Sequence, residues 1–184
     1  SMVAFPKNGA TKLVKVRGIE GDFPFYGNMN TQPIAAARSY QDLEGALVDA
    51  TLLLQFDNKV GDSIKIGELT LPIVGALKSI PGSNAVSSSV APPIVIPYRF
   101  IATTELLQFG SRKEYQYFYK TTNDFDLEAF DKKIDPMLDI ENADLDTHTS
   151  TSERLGNRYD NVGKFLNLAA FIALPTAYLI EFKN

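Results

Sequence analysis

The only histidine of the chain decides whether a serine, a histidine and an acid could form a hydrolase site. Residues 61–63 read GDS and resemble the start of GDS-type esterases, whose histidine lies three residues after an aspartate. The position three residues before His148 is Leu145, so the second part of that pattern is missing. We therefore interpret residues 61–63 as a hairpin turn and expect no catalytic residues.

A run of acidic residues between positions 124 and 146 could suggest a metal site. Asp144, Asp146 and His148 alternate as at the start of a calcium-binding loop. Thr149 stands where such a loop needs glycine, and Leu155 stands where it needs the bidentate glutamate. We therefore expect no metal site and no cofactor, and interpret the carboxylates as a solvated helix face followed by an acidic helix start.

Two aromatic stretches contain the candidate binding residues. Residues 21–27 read GDFPFYG, and residues 112–121 read RKEYQYFYKT. A stacking platform for nucleic acid needs a basic surround, and the chain has a net charge of -4, so nucleic acid is not an expected partner. Cross-strand packing inside a sheet is the alternative use of the second stretch. The possible partner-binding residues are Phe23, Phe25, Tyr26, Tyr115, Tyr117 and Tyr119.

The composition is that of an ordinary globular protein. Of the 184 residues, 45% are hydrophobic and 22% are charged, which argues against wholesale disorder. The length suits one domain, or two small lobes that share a core. Cysteine is absent, which excludes disulfides, thiolate metal sites and cysteine nucleophiles.

Alternating and apolar runs predict the elements of the first half. Residues 11–19 predict a half-buried strand, and residues 46–48 predict a short apolar strand followed by a helix that Asp49 caps. Residues 63–75 predict a β-hairpin with a tight turn at Gly67 and Glu68. Pro72 within it indicates an edge strand or a bulge.

The second half is predicted to alternate between strands and helices. Residues 94–96 predict an apolar strand, residues 101–109 a short helix, and residues 112–121 a strand whose tyrosines share one face. A further helix follows, capped by Asn123 or Asp124, with Leu127, Phe130 and Ile134 at helical spacing. Pro136 is expected to kink or end it.

The longest periodic signal lies near the end of the chain. Ser150 and Glu153 form a capping box, and apolar residues then recur at helical spacing over residues 151–174, a helix of about 36 Å. Its second half becomes apolar on nearly every side, as in a helix that enters a membrane, until Pro175 interrupts it. We expect residues 150–174 to lead into a truncated membrane helix, and residues 175–184 stay unassigned.

Several segments, taken in order and spacing, carry a family likeness. They read LVKVRGIEG at 13–21, FPFYG at 23–27, ALVDA at 46–50, VGDSIKIG at 60–67, PIVIP at 93–97, TELL at 104–107 and GSRKEY at 110–115. Together they resemble the extracytoplasmic MacB-like core domain of FtsX/MacB/LolC-type ABC transporter permeases, in the predicted lysophospholipase-linked group. The likeness covers roughly residues 3–173.

The resemblance implies an α+β fold over residues 1–174, with a mixed α/β lobe and a smaller, mostly β lobe. It also implies a non-catalytic domain that lies outside the bacterial cytoplasmic (inner) membrane, between two membrane helices of a longer permease. A cytoplasmic ABC ATPase would drive that permease. The domain would transmit the motion to, or bind, an extracytoplasmic lipid, lipoprotein or envelope protein. Both ends of the chain would then be trimmed.

The alternative is a free-standing periplasmic or secreted module that binds a protein or a lipid. It would use the same aromatic residues, around Phe23 and Tyr117, as its binding surface. The two hypotheses differ in what flanks the domain. Apolar stretches of at least ~18 residues on both sides would favour the permease.

Overall fold

A computed structural model of the protein describes residues 1–81, 90–122, 124–141 and 143–147. The chain divides into two units, Ser1–Lys120 and Thr121–Asn184, and each is described by itself. The described part of the first unit contains the sheet and two short α-helices, and that of the second contains one longer helix. The α+β fold class expected from the sequence is confirmed.

Eight strands form one sheet in the first unit, in the order β2-β1-β6-β7-β5-β8-β3, with β4 paired to β7. The pairs β3–β8 and β5–β7 are parallel, and the other pairs are antiparallel. The strands are β1 (Met2–Phe5), β2 (Ala10–Leu13), β3 (Lys15–Ile19), β4 (Asn30–Gln32), β5 (Ala46–Asp49), β6 (Ser63–Ile66), β7 (Leu69–Ser79) and β8 (Pro93–Pro97).

The strand predicted over residues 11–19 is in fact two strands that lie at opposite ends of the sheet order. Val14 separates β2 from β3 and is only 1% exposed. Its backbone N–H donates to the Ser1 carbonyl at 2.8 Å, and its carbonyl accepts from the Ser1 amino group at 2.9 Å. Because β2 pairs with β1 and β3 pairs with β8, the chain must leave one ladder at Val14 before it joins the other.

The hairpin predicted over residues 63–75 is confirmed as β6 and the first part of β7, with a turn at Gly67 and Glu68. Gly67 has φ +59, and a Cβ there would lie 1.9 Å from the Thr104 carbonyl oxygen, so both backbone and space require glycine. Pro72 is the last β7 residue to pair with β6, and pairing with β5 begins one residue later. β7 is an inner strand of the sheet, so the edge alternative is wrong. The register of β7 against β5 shifts between Ile73 and Gly75, directly after Pro72, which agrees with the predicted bulge.

The described residues of the first unit form the α-helices α1 (Ala36–Ser39) and α2 (Ala50–Gln55). The predicted cap of α2 is confirmed, because the Asp49 carboxylate accepts from the Thr51 N–H at 2.8 Å. The helix predicted over residues 101–109 is wrong. One 3-10 turn, Tyr98–Phe100, precedes this range, and a second, Ala102–Thr104, occupies its start. The Thr104 hydroxyl donates to the Ile101 carbonyl at 2.6 Å and so competes with a helical continuation.

The core has two clusters, one on each face of the central strands. Alternate residues of β8 show this best, because Ile94 and Ile96 belong to the first cluster and Val95 to the second. Leu47 of β5 likewise lies in the second cluster, which α1 and the segment after β3 cover. Burial on both faces explains why these strands are continuously apolar in sequence.

In the second unit, α3 (Leu127–Glu141) confirms a helix at the predicted place, but its cap differs from the predicted one and Pro136 does not end it. Asp126 is the capping residue, since its carboxylate accepts from the Ala129 N–H at 2.9 Å, and Asp124 does not cap. The helix continues past Pro136. A proline removes one backbone N–H donor from a helix, and the helical hydrogen bonds on either side of Pro136 are sufficient for the helix to continue.

Within the described ranges, no helix has both the length and the apolar character that a membrane crossing requires. The helix predicted over residues 151–174, the tail of residues 175–184 and Asn123 lie outside the described residues.

Candidate functional site

The turn after β3 places its aromatic residues at different depths. Phe23 is half-buried and packs against the second core cluster. Phe25 is 41% exposed and Tyr26 is 71% exposed. Phe23 thus anchors the turn to the sheet, while the next two aromatic side chains are presented to solvent.

The strand predicted over residues 112–121 is wrong. No strand is present there, and every residue from 112 to 120 is exposed. Tyr115, Tyr117 and Tyr119 are 51%, 77% and 80% exposed, and Phe118, which alternation places on the opposite face, is 54% exposed. A half-buried strand needs a paired neighbour and a covering layer, and neither is found among the described residues. The segment is therefore available for contacts outside the domain.

Side-chain contacts bring this segment to the turn. The rings of Phe23 and Phe118 have centroids 4.9 Å apart at an angle of 50°. The Lys120 ammonium lies 5.9 Å from the centre of the Tyr26 ring. The sequence had identified the two stretches separately, and the fold joins them into one surface. We call this the aromatic surface, formed by Phe23, Phe25, Tyr26, Tyr115, Tyr117, Phe118 and Tyr119.

Phe118 is the residue of this surface that sequence reasoning missed. Alternation assigned it to the face opposite the tyrosines, although its ring is the one that contacts Phe23. The available signal was the uninterrupted aromatic run at residues 117–119, because a half-buried strand should alternate apolar with polar residues.

Basic residues flank the aromatic surface. Lys113 lies 5.4 Å from the centre of the Tyr115 ring. Glu114, the only acid of the segment, pairs with Lys15 at 3.8 Å. Arg112, Lys113 and Lys120 form no ion pair with any carboxylate in the described ranges. The segment is thus locally basic, although the whole chain has a net charge of -4.

A cleft of about 570 Å³ opens beside the turn, between it and α1. Two of its lining residues are joined by a hydrogen bond, in which the Gln41 side chain donates to the Gly21 carbonyl at 3.0 Å. The lining combines apolar and charged groups from Gly21, Asp22, Phe23, Pro24, Asn28, Met29, Ala37, Arg38, Gln41 and Asp42. No residue of the 112–120 segment lines it, so the cleft and the exposed tyrosines are separate features.

Tyr40 lies in the second core cluster and is 1% exposed. Its hydroxyl is buried, and no group among the described residues forms a hydrogen bond with it. Burial raises the pKa of Tyr40 to about 12, an effect that the neighbouring Gln41 side chain only partly opposes.

The turn at Asp62 has a structural explanation. The Asp62 carboxylate accepts from the Lys59 N–H at 2.9 Å and lies 3.4 Å from the Lys7 ammonium. The hydrogen bond from Lys59, followed by the charge of Lys7, lowers the pKa of this carboxyl. Gly61 and Asp62 form a turn, as expected, but it leads from α2 into β6 and is not a hairpin turn, and Ser63 is already the first residue of β6. His148 lies outside the described residues.

In the part of the chain that the structure covers, no three His, Cys, Asp or Glu side chains are grouped so that they could hold a metal ion.

Comparison with known proteins gives one informative similarity. The chain is 26% identical, over 167 residues, to a protein of Escherichia coli (strain K12) described as "Uncharacterized ABC transporter permease YbbP". The aligned region is 90% of this chain and 20% of that protein, so the chain spans about a fifth of its relative's length. No family model and no solved structure match the chain. The similarity supports a relationship to ABC transporter permeases.

Proposed function

We propose that this chain is the non-catalytic, extracytoplasmic domain of an ABC transporter permease of the FtsX/MacB-like class. The observation that carries the proposal is the similarity to a permease along 90% of the chain. The full-length protein would be embedded in the bacterial inner membrane and would act with a cytoplasmic ABC ATPase. The domain would transmit the ATPase-driven motion to an extracytoplasmic lipid, lipoprotein or envelope protein, or would bind that partner.

The aromatic surface is the part of the domain that would contact this partner. Exposed Tyr and Phe side chains bring large, stiff contact areas at a low entropic cost, and Tyr and Arg are enriched at binding hot spots. Tyr117 and Tyr119 are too exposed, at 77% and 80%, to add much to the stability of the domain. Their chemistry is thus better suited to binding than to packing.

The sheet provides the stiffness that a motion-transmitting domain needs. β5 and β8 are buried on both faces, and Leu47, Val48, Ile94, Val95 and Ile96 are all 0% exposed. The aromatic segment is held to this rigid body by the Phe23–Phe118 contact and by the Lys15–Glu114 ion pair. A displacement of the sheet would therefore move the binding residues with it.

Site-directed labelling of the full-length protein tests the proposed placement. The chain has no cysteine, so one introduced at Leu54, which is 85% exposed on α2, provides a single label in this domain. In cells with a permeabilised outer membrane, a membrane-impermeant maleimide should label the Leu54→Cys protein. Leu52→Cys, on the same helix but 0% exposed, is the matched control and should stay unlabelled. Labelling of Leu54→Cys only after lysis of the inner membrane would contradict the proposal.

The same preparation tests the alternative of a free-standing binding module. A permease domain should be recovered with the membrane fraction and resist extraction by carbonate. A labelled protein recovered in the periplasmic or culture fluid would favour the free-standing module instead.

A further inference from the structure

The aromatic segment is an exposed strip of residues that takes no part in the described cleft. All residues from 112 to 120 are exposed, and none of them lines the cleft beside α1. A strip of this kind cannot enclose a small ligand, because ligand sites bury most of their ligand in a concave pocket. Its shape suits a broad partner that meets many side chains at once.

The side chains of the strip match the chemistry of a bilayer interface. Tyrosine combines an apolar ring with a polar hydroxyl, and for that reason is enriched where hydrocarbon meets headgroups. Tyr115, Tyr117 and Tyr119 present such rings, and Phe118 adds an apolar one. Lysine and arginine reach past such rings to the phosphates with their long stems.

The charge of the strip favours binding to an anionic bilayer over a neutral one. Arg112, Lys113 and Lys120 have no carboxylate partner in the described ranges, while Glu114 lies 3.8 Å from the Lys15 ammonium. This basic strip stands out because the chain as a whole has a net charge of -4. Basic residues near an anionic bilayer are each worth roughly a fivefold gain in binding.

We infer that the aromatic surface docks the domain on an anionic lipid bilayer, with the tyrosine rings at headgroup depth and the three basic residues on lipid phosphates. This inference rests on the proposed function, which puts a membrane within reach of the domain. A tether to that membrane makes a weak contact effective, because it raises the local concentration of the lipid. An acidic peptide fits less well, since residues 112–120 form no strand whose edge could pair with an extended chain.

Vesicle flotation with the full chain tests the inference. The probes are vesicles of phosphatidylcholine alone and vesicles of phosphatidylcholine mixed with phosphatidylglycerol. We expect binding to the mixed vesicles, weakened by added salt, and little binding to the neutral ones. The triple variant Arg112→Gln/Lys113→Gln/Lys120→Gln should bind the mixed vesicles at least about tenfold more weakly.

The matched control is Lys59→Gln/Lys78→Gln/Lys133→Gln, which makes the same change in net charge. These three lysines are also exposed and also lack ion pairs within the described ranges. The control should bind like the unchanged chain. Since all six side chains are on the surface, we expect both variants to keep the far-ultraviolet circular dichroism of the parent.

Three outcomes would overturn the inference. The first is no binding to the mixed vesicles, and the second is equal binding to both vesicle types. The third is binding that the Arg112/Lys113/Lys120 variant retains, which would place the contact elsewhere, for instance in the apolar run at residues 165–172.

The inference and the proposed function can fail separately. If Leu54→Cys is labelled from outside but the vesicles are not bound, the domain is extracytoplasmic and its partner is not a bilayer. Capture of an acidic protein without lipid, lost in the Arg112/Lys113/Lys120 variant, would overturn the lipid docking in the same way. Labelling of Leu54→Cys only after lysis of the inner membrane would instead contradict the proposed function.

Discussion

β8 and the segment of residues 112–120 are both rich in residues that favour strands, yet the structure uses them in opposite ways. Ile94, Val95 and Ile96 of β8 are 0% exposed, whereas Tyr117 is 77% exposed. β8 pairs with β3 on one side and with β5 on the other, while the tyrosine-rich segment pairs with no strand of the described chain. Strand propensity therefore becomes a strand only where a ladder partner is present.

The comparison also separates two kinds of aromatic and apolar residues. Those of the sheet stabilise the fold by their burial, and those of the aromatic surface are available to a partner. Substitutions that are costly in one region should be nearly neutral for folding in the other. The predictions below test this division.

The largest expected effect is at Ile96, which is 0% exposed in the first core cluster. Ile96→Ala removes buried methyl groups and leaves a cavity, so we expect the free energy of unfolding to fall by about 4 kcal/mol. The matched change in the other region, Tyr117→Ala, should alter it by less than about 0.5 kcal/mol. Urea denaturation followed by circular dichroism measures both. A loss at Tyr117 that approaches the loss at Ile96 would contradict the division.

The next effect concerns the turn between β6 and β7. Gly67→Ala should lower the free energy of unfolding by about 3 kcal/mol, because it adds a clash with the Thr104 carbonyl to the cost of a left-handed backbone. Gly9 has a similar φ of +69, but a Cβ added there would meet nothing within 4 Å. Gly9→Ala should therefore cost only about 1 kcal/mol. Equal losses in thermal or urea unfolding would show that Thr104 does not crowd this turn.

The smallest effect is a gain in stability at Tyr40. Its buried hydroxyl has no hydrogen-bond partner in the described part of the chain, so Tyr40→Phe should raise the free energy of unfolding by about 1 kcal/mol at neutral pH. Tyr117→Phe, at an exposed position, should leave it unchanged. A loss of stability in Tyr40→Phe would show that the hydroxyl is satisfied in the folded protein.

The raised pKa of Tyr40, about 12 against the ordinary value of 10.0, adds a pH dependence to the same variant. The folded state holds the phenol proton more tightly than the unfolded state. Ionisation of Tyr40 therefore has no effect on the free energy of unfolding below pH 10. As the pH rises from 10 towards 12, the phenol ionises more readily in the unfolded state, and the free energy of unfolding falls. The unchanged protein should lose stability over this window more steeply than Tyr40→Phe. Parallel stability curves in urea would contradict the shift.

Local signals in the sequence were sufficient where neighbouring residues determine the structure. The Asp49 cap depends on the Thr51 N–H two residues away, and the β6–β7 hairpin depends on a turn at Gly67. Continuous apolar runs likewise predicted β5 and β8. These features need no knowledge of distant parts of the chain.

Sequence reasoning failed where a distant partner decides the outcome. The break at Val14 arises because β1 and β8 pair with the two halves of one extended run. Residues 112–121 were predicted as a strand because alternation does not reveal whether a ladder partner exists. The two aromatic stretches were predicted as binding residues, but their contact was not, since Phe23 and Phe118 are far apart in sequence and meet only in the fold.

Photo-crosslinking in the full-length protein in cells tests the central claim most directly, namely that the aromatic surface is the binding face of this domain. A benzophenone amino acid at position 117 should form an adduct with a lipid or an extracytoplasmic protein. The same amino acid at position 54, where the leucine is 85% exposed on α2, should not. No adduct from position 117, or equal adducts from both positions, would contradict the account.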